Sequence, residues 1–144
     1  MKHLFIMITF MALLSSMVFG QRIKFATLAP EGSTYYNVMQ EYNTAVQEQT
    51  GGKVKFKIYA GGIQGDEKDV VRKFRFNQIH SAAFTGVGLG EILPEIRVLE
   101  LPMLFRNYDE VDHITSLLYD EFAAKFEEQG YVILGWADIG FANV

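Results

Sequence analysis

The sequence predicts an α/β fold with a mainly parallel sheet flanked by helices. Three observations lead there. Short apolar or alternating runs at Arg22–Ala29, Lys53–Tyr59, Ile79–Phe84, Val98–Leu101 and Tyr131–Trp136 read as strands. Helix-period stretches of three or more turns separate the main strands, so successive strands run parallel through right-handed crossovers. Glycine-bearing turns stand at strand ends, where an α/β sheet receives its ligands.

Residues 1–20 stand outside that fold. Lys2 and His3 form a basic start, Leu4 to Leu14 is apolar apart from Thr9, and Val18 and Gly20 occupy the positions a signal peptidase reads. This is the pattern of a secretory signal peptide cut before Gln21. The apolar run is too short for a bilayer span of about 20 residues. The mature chain is therefore expected in the periplasm. Having no cysteine, it has no disulfide, no thiol chemistry and no site for a lipid anchor. Residues 21–144 suit one domain. Asp and Glu (17) outnumber Lys and Arg (13), and one of the cations, Lys2, lies in the signal segment. That balance argues against a general nucleic-acid surface.

The first strand, Arg22–Ala29, is stopped by Pro30-Glu31-Gly32. Ser33 or Thr34 caps a helix to Gln49, in which Tyr35, Val38, Met39, Tyr42 and Val46 form one apolar stripe. Gly51-Gly52 ends it. Lys53–Tyr59 alternates strictly: Val54, Phe56 and Ile58 face a core, while Lys53, Lys55 and Lys57 face away. The three lysines read as a charged edge strand that resists wrong pairing, in preference to an anion patch.

The stretch Ala60–Glu91 organises the rest. Gly61-Gly62 and Gly65 make a turn, and Asp66 caps a helix beginning at Glu67. Asp69 in its first turn and Arg72, Lys73 and Arg75 in its last complement the helix dipole. Val70, Val71 and Phe74 give it an apolar side. Ile79–Phe84 reads as a buried strand ending at Thr85-Gly86, where backbone is left free to meet a ligand. This junction is predicted to be one wall of a small-molecule cleft. Val98–Leu101 reads as a fourth strand ended by Pro102. Asn107 or Asp109 caps a long helix with Val111, Ile114, Leu118, Phe122 and Phe126 on one side, closed by Gly130. Tyr131–Trp136 is continuously apolar and reads as a fifth strand buried on both faces.

Gly86-Val-Gly88-Leu-Gly90 after a strand invites a dinucleotide reading. The spacing is wrong, however, Pro94 falls too soon for a full helix, and Glu100 comes too early to be the ribose-binding acid. The run reads as a tight turn. His80 and His113 have no partner at metal-ligand spacing. No G-x-S-x-G occurs, and no serine has an evident base. No catalytic constellation, metal site or cofactor is expected, and the chain does not read as an enzyme. Asp66 is a cap with a second role open to it, a hydrogen bond to a ligand hydroxyl. Trp136 reads either as core, from its apolar run, or as a cleft wall, from Gly135 and Asp138 beside it. Tyr35 and Phe105 read as packing.

Three stretches now stand out: IKFATLAP at Ile23–Pro30, YAGGIQGDEKDVVRKFRFNQIHSAAFTGVGLGEILPEIRVLELPMLFRNYDEVD at Tyr59–Asp112, and GYVILGWADIGF at Gly130–Phe141. Together they resemble the solute-binding proteins of tripartite ATP-independent periplasmic (TRAP) transporters, of the dicarboxylate-binding type. The middle block is the most specific, with its G-D-E turn, basic-ended helix, small-residue strand into T-G-V-G, then L-P-x-L-F and an N-Y helix start. The resemblance implies a periplasmic-binding-protein-like lobe, one of two that close on an organic acid and deliver it to the membrane permease subunits. Residues 21–144 correspond to the N-terminal lobe. The second lobe, with the arginine that anchors the carboxylate, falls beyond residue 144 in the family, so the chain reads as a truncated receptor. Arg72, Arg75, Arg97 and Arg106 do not match that anchor.

By the same resemblance, the first-lobe pocket maps onto Leu28 and Ala29, Asp66, Thr85 and Gly86, and Trp136. Some sialic-acid-binding relatives carry a polar residue at the Leu28 position and an acid near Gly86. Departure at both turns the expectation away from polyhydroxylated sugar acids. The receptor is expected to be a monomer. The alternative function is an extracytoplasmic ligand-sensing domain of a signalling protein, which would share the fold.

Overall fold

The computed structural model describes residues 20–138 and 140. The signal segment read at residues 1–20 therefore lies, apart from Gly20, outside the described residues. Three parallel strands form one sheet in the order β2-β1-β3. The middle strand, β1 (Gln21–Thr27), runs beside β2 (Val54–Tyr59), with Gln21 opposite Val54 and Ala26 opposite Tyr59. On its other side lies β3 (Ser81–Ala83), with Phe25 opposite Ser81. β1 takes the centre because Phe25, Ala26 and Thr27, on alternating faces, are all buried. β2 takes the edge that its lysines predict, with Lys55 and Lys57 exposed.

Helix α1 (Thr34–Gln49) is capped by Ser33, whose Oγ accepts the Tyr36 N–H at 3.3 Å. It packs on one face of the sheet through Tyr42, which meets Phe56 at 5.6 Å; Phe56 meets Phe25 at 6.0 Å. Asn43 closes the open edge of β2. Its Nδ2 donates to the Phe56 carbonyl at 3.2 Å and its Oδ1 accepts the Phe56 N–H at 2.8 Å. The apolar stripe is nevertheless not a buried face, for no residue of α1 is buried and Tyr35, Val38 and Tyr42 stay exposed.

Helix α2 (Glu67–Arg75) covers the opposite face, where Ala26, Val70 and Ile79 form one buried cluster. It ends at Phe76, followed by Asn77 in the left-handed region at φ 53°. The glycine run is not a tight turn. It forms a helix, α3 (Gly86–Ile92), because Thr85 caps it by accepting the Val87 N–H. Gly88 is buried, and a Cβ there would come within 2.5 Å of Phe84, so close packing requires the glycine.

The expected fourth strand is also corrected. Pro94–Glu100 is a 3₁₀ helix, and Leu93, Ile96 and Leu99 recur at its three-residue period and turn inward. Helix α4 (Tyr108–Glu128), capped by Asn107, lays Phe122 and Phe126 against Leu93 and Ile96. Lys125 on α4 reaches Glu95 at 3.2 Å and Glu121 at 3.1 Å. The expected fifth strand is corrected as well. Tyr131–Trp136 joins no ladder among the described residues. Tyr131, Ile133 and Trp136 pack on the α4 cluster, whereas Val132 and Leu134 are about 70% exposed, so the segment is covered on one side only. No helix among the described residues is long and apolar enough to cross a membrane.

Candidate functional site

The carboxyl ends of β1 and β3 meet the turn that follows β2. The Gly61 N–H donates to the Ala29 carbonyl at 2.9 Å and the Gly62 N–H to the Thr27 carbonyl at 3.1 Å, folding the turn back onto the end of β1. Gly65, at φ 94°, occupies backbone space that disfavours a side chain, and a Cβ there would lie 2.7 Å from the Asp69 carboxylate. The chain then enters α2 with the Asp69 N–H donating to Asp66 Oδ1 at 2.8 Å. The cap predicted at Asp66 is thus present, and it engages one of the two carboxylate oxygens.

The next residue, Glu67, carries a role that sequence reasoning missed. Its side chain is buried and accepts three hydrogen bonds across 18 to 21 residues: from the Thr85 N–H at 2.6 Å, the Thr85 hydroxyl at 2.6 Å and the Gly88 N–H at 2.9 Å. A buried carboxylate needs such partners, and bonds to an ionised acceptor are the strong ones. Glu67 therefore ties the start of α2 to the β3–α3 junction. Its only trace in the sequence is an acid at the first position of a capped helix. Glu100 does similar work from outside, accepting the Gly86 N–H at 2.9 Å while Arg97 lies 3.8 Å from its carboxylate. The backbone expected to be free at Thr85-Gly86 is therefore already engaged, because two carboxylates satisfy its donors.

These elements enclose a shallow recess lined by Thr27, Leu28, Gly62, Gln64, Ala83 and Phe84, with Glu67 and Val70 behind them. It is open on one side and measures about 210 Å³ including open solvent. Leu28, Ile63 and Val87 are exposed apolar side chains of these same segments. Lys73 brings a cation to the turn, its Nζ donating to the Gln64 carbonyl at 2.6 Å and to Gln64 Oε1 at 3.1 Å.

Of the residues picked from the sequence, Leu28 lines the recess. Ala29 adjoins it and holds Gly61. Asp66 follows the lining residue Gly65, and Thr85 and Gly86 follow the lining residue Phe84. Trp136 is not in the lining; it packs on Tyr119 at 6.4 Å and Phe122 at 6.3 Å in the α4 cluster. Arg72 is paired with Asp69 at 2.6 Å. No group of acids and histidines among the described residues is placed to hold a metal ion. The wall offers shape, apolar contact and a few polar atoms, which suits holding a molecule rather than transforming one.

A parallel sheet with a recess beyond its carboxyl ends defines a ligand-binding α/β lobe. Residues 25–144 match the family described as bacterial extracellular solute-binding protein, family 7, and the chain belongs to that family. A solute-binding protein of Chromohalobacter salexigens is 28% identical over 103 residues, covering 71% of this chain and 31% of the relative. Two solved TRAP periplasmic solute-binding proteins, both with bound D-glucuronate, share the fold. The one from Citrobacter koseri has a TM-score of 0.70 and 29% identity, covering 82% of this chain and 40% of that one. The one from C. salexigens has a TM-score of 0.72 and 25% identity, covering 79% and 38%. The chain thus spans less than half the length of these relatives. Such proteins are receptors, not enzymes.

Proposed function

We propose that residues 21–144 form the N-terminal lobe of a two-lobed periplasmic receptor. The receptor captures a sugar acid between its lobes and delivers it to the membrane subunits of a TRAP-type permease. The observation that carries this reading is the recess beyond β1 and β3, in a chain whose solved relatives at 25% and 29% identity hold D-glucuronate. Those ligands favour a polyhydroxylated acid, against the expectation drawn from Leu28 and Gly86. They also make a sugar monocarboxylate a better proposal than a dicarboxylate.

The recess is smaller and more open than a complete small-molecule site, which typically encloses roughly 300–1,000 Å³. It is half a site, with the other wall supplied by the opposing lobe. Leu28 and Ala29 offer apolar contact to the sugar ring. Asp66 keeps one carboxylate oxygen for a hydroxyl. Thr85 and Gly86, held by Glu67 and Glu100, fix the shape of the floor. Lys73 adds positive potential for the carboxylate. Trp136 acts from behind, by holding the segment that leaves it. Residues 1–20 serve as a cleaved export signal, and the receptor works as a monomer. No observation favours a sensing domain of a signalling protein.

The test is an NMR titration of residues 21–144 with D-glucuronate, using D-glucose and succinate as comparators. Shifts confined to Leu28, Gly62–Asp66 and Ala83–Gly86, largest with D-glucuronate, are expected. Shifts scattered over the surface, or equal for all three compounds, would count against the assignment.

A further inference from the structure

The face of the sheet that α2 shares is divided. Its carboxyl half, at Ala26 and Tyr59, packs against Val70 and Ile79 of the buried cluster. Its amino half consists of cations. In the β1–β2 register Arg22 stands beside Lys55 and Lys24 beside Lys57, on the same face as Ala26 and Tyr59. Neighbouring strands lie about 4.8 Å apart, so these are like charges held side by side, an arrangement that disfavours folding. Lys53 continues the row just before β2. Arg22, Lys53, Lys55 and Lys57 are exposed and Lys24 is half-exposed. Among the described residues, none of the five pairs with an acid, and neither do Lys73, Arg75 and Arg106, whereas Lys68, Arg72, Arg97 and Lys125 do; Lys57 lies over the Tyr59 ring at 4.8 Å. Edge protection accounts for the lysines of β2. It does not account for Arg22 and Lys24, which lie on the middle strand.

The rest of the molecule is acidic, with a net charge of −4 despite this face. Helix α4 alone carries Asp109, Glu110, Asp112, Asp120, Glu121, Glu127 and Glu128 against one lysine. Charge is thus unevenly spread, with a cationic row on this sheet face and an acidic excess on α4. Four of the five cations in the row are lysines, hydrated point charges suited to a diffuse field, not planar guanidinium forks suited to bidentate pairing with one carboxylate. They are set on one face of the sheet.

We propose that this face docks the protein on the anionic phospholipid headgroups of a membrane surface, independently of the recess and of its ligand. The attraction acts within about a Debye length, roughly 10 Å at 0.1 M salt, so it orients the molecule loosely and reversibly.

The experiment is co-sedimentation of the purified chain with vesicles of phosphatidylglycerol and phosphatidylcholine in equal parts, against vesicles of phosphatidylcholine alone. A variant changed only at Lys24, Lys55 and Lys57 keeps Lys2, His3 and Leu4–Leu14, so any adsorption through that segment is common to it and to the parent. At least about five-fold more protein should pellet with the anionic vesicles at low salt, and the excess should vanish near 0.5 M salt. The variant Lys24→Gln, Lys55→Gln, Lys57→Gln should lose the excess while keeping its circular dichroism spectrum. A control carrying Lys68→Gln and Arg97→Gln should retain it. Equal pelleting with both vesicles, a triple variant that binds like the parent, or a control that loses as much as the triple variant would each overturn the proposal. Capture by polyglutamate without vesicle binding would overturn it in favour of an acidic protein partner.

Discussion

The two buried clusters of this chain are assembled by different means. Under the sheet, Ala26, Val70 and Ile79 are framed by directional bonds: Glu67 to Thr85 and Gly88, Asp66 to Asp69, and the turn glycines to Thr27 and Ala29. Between the 3₁₀ helix and α4, Leu93, Ile96, Phe122 and Phe126 rely mainly on apolar volume; the ties from Lys125 lie at the surface, and Tyr119 donates a long bond of 3.5 Å to the Ile133 carbonyl. A wall that must hold backbone and side chains in fixed positions against a ligand belongs with directional bonds, which fix angles as well as distances. A cluster that only has to exclude water can be filled by shape alone.

Phe126→Ala gives the largest effect expected. Phe126 is 1% exposed at the centre of the second cluster, and truncation should cost about 3–5 kcal/mol in urea unfolding. A cost near that of a surface change would mean that this cluster is not a core. Glu67→Ala comes next, at roughly 3 kcal/mol, because it strands donors that are buried or half-buried. Exchange of the Thr85 and Gly88 amides should accelerate well before the α4 amides do, and uniform acceleration would erase the distinction between the two regions. Glu67→Gln should recover only part of the loss, since one of its carboxylate oxygens becomes a donor facing donors.

The helix caps give a matched pair, one in each region. Asp66→Ala and Asn107→Ala should each cost about 1 kcal/mol. Only Asp66→Ala should also weaken the NMR response to D-glucuronate. Equal responses in the two variants would remove Asp66 from the proposed wall.

Lys125→Gln is the smallest change. Hydrogen bonds that Lys125 donates to Glu121 and then to Glu95 raise its pKa above the ordinary 10.5. The ammonium form is thus favoured by folding, and its contribution is fully present below that pH. It fades as pH rises through the raised value. The parent and Lys125→Gln should therefore differ slightly in urea midpoint at neutral pH and low salt, and converge at strongly alkaline pH or high salt. A gap that widens with pH would contradict this.

What could be read from the sequence was local. The alternation of Val54, Phe56 and Ile58 gave the edge strand its two sides, and Ser33, Asp66 and Asn107 all cap the helices they precede. What could not be read depends on distant partners. Tyr131–Trp136 has the composition of a strand, but a strand is defined by a neighbour, and none of the described residues pairs with it. Val98–Leu101 was too short a run to outweigh the three-residue spacing of Leu93, Ile96 and Leu99. Glu67 looked like an ordinary first-turn acid because its partners lie 18 and 21 residues away. Leu28 lines the recess, and Asp66 and Thr85 adjoin its lining residues Gly65 and Phe84, because parallel strands put their carboxyl ends side by side. The position of Trp136 depended on the pairing that did not occur.

The most direct test of the single-wall reading is the affinity of residues 21–144 for D-glucuronate, measured by calorimetric titration. With one wall only, closure cannot take the ligand out of water, and the dissociation constant should be no tighter than about 1 mM. A micromolar constant would mean that this lobe grips the acid unaided, and would contradict the central claim.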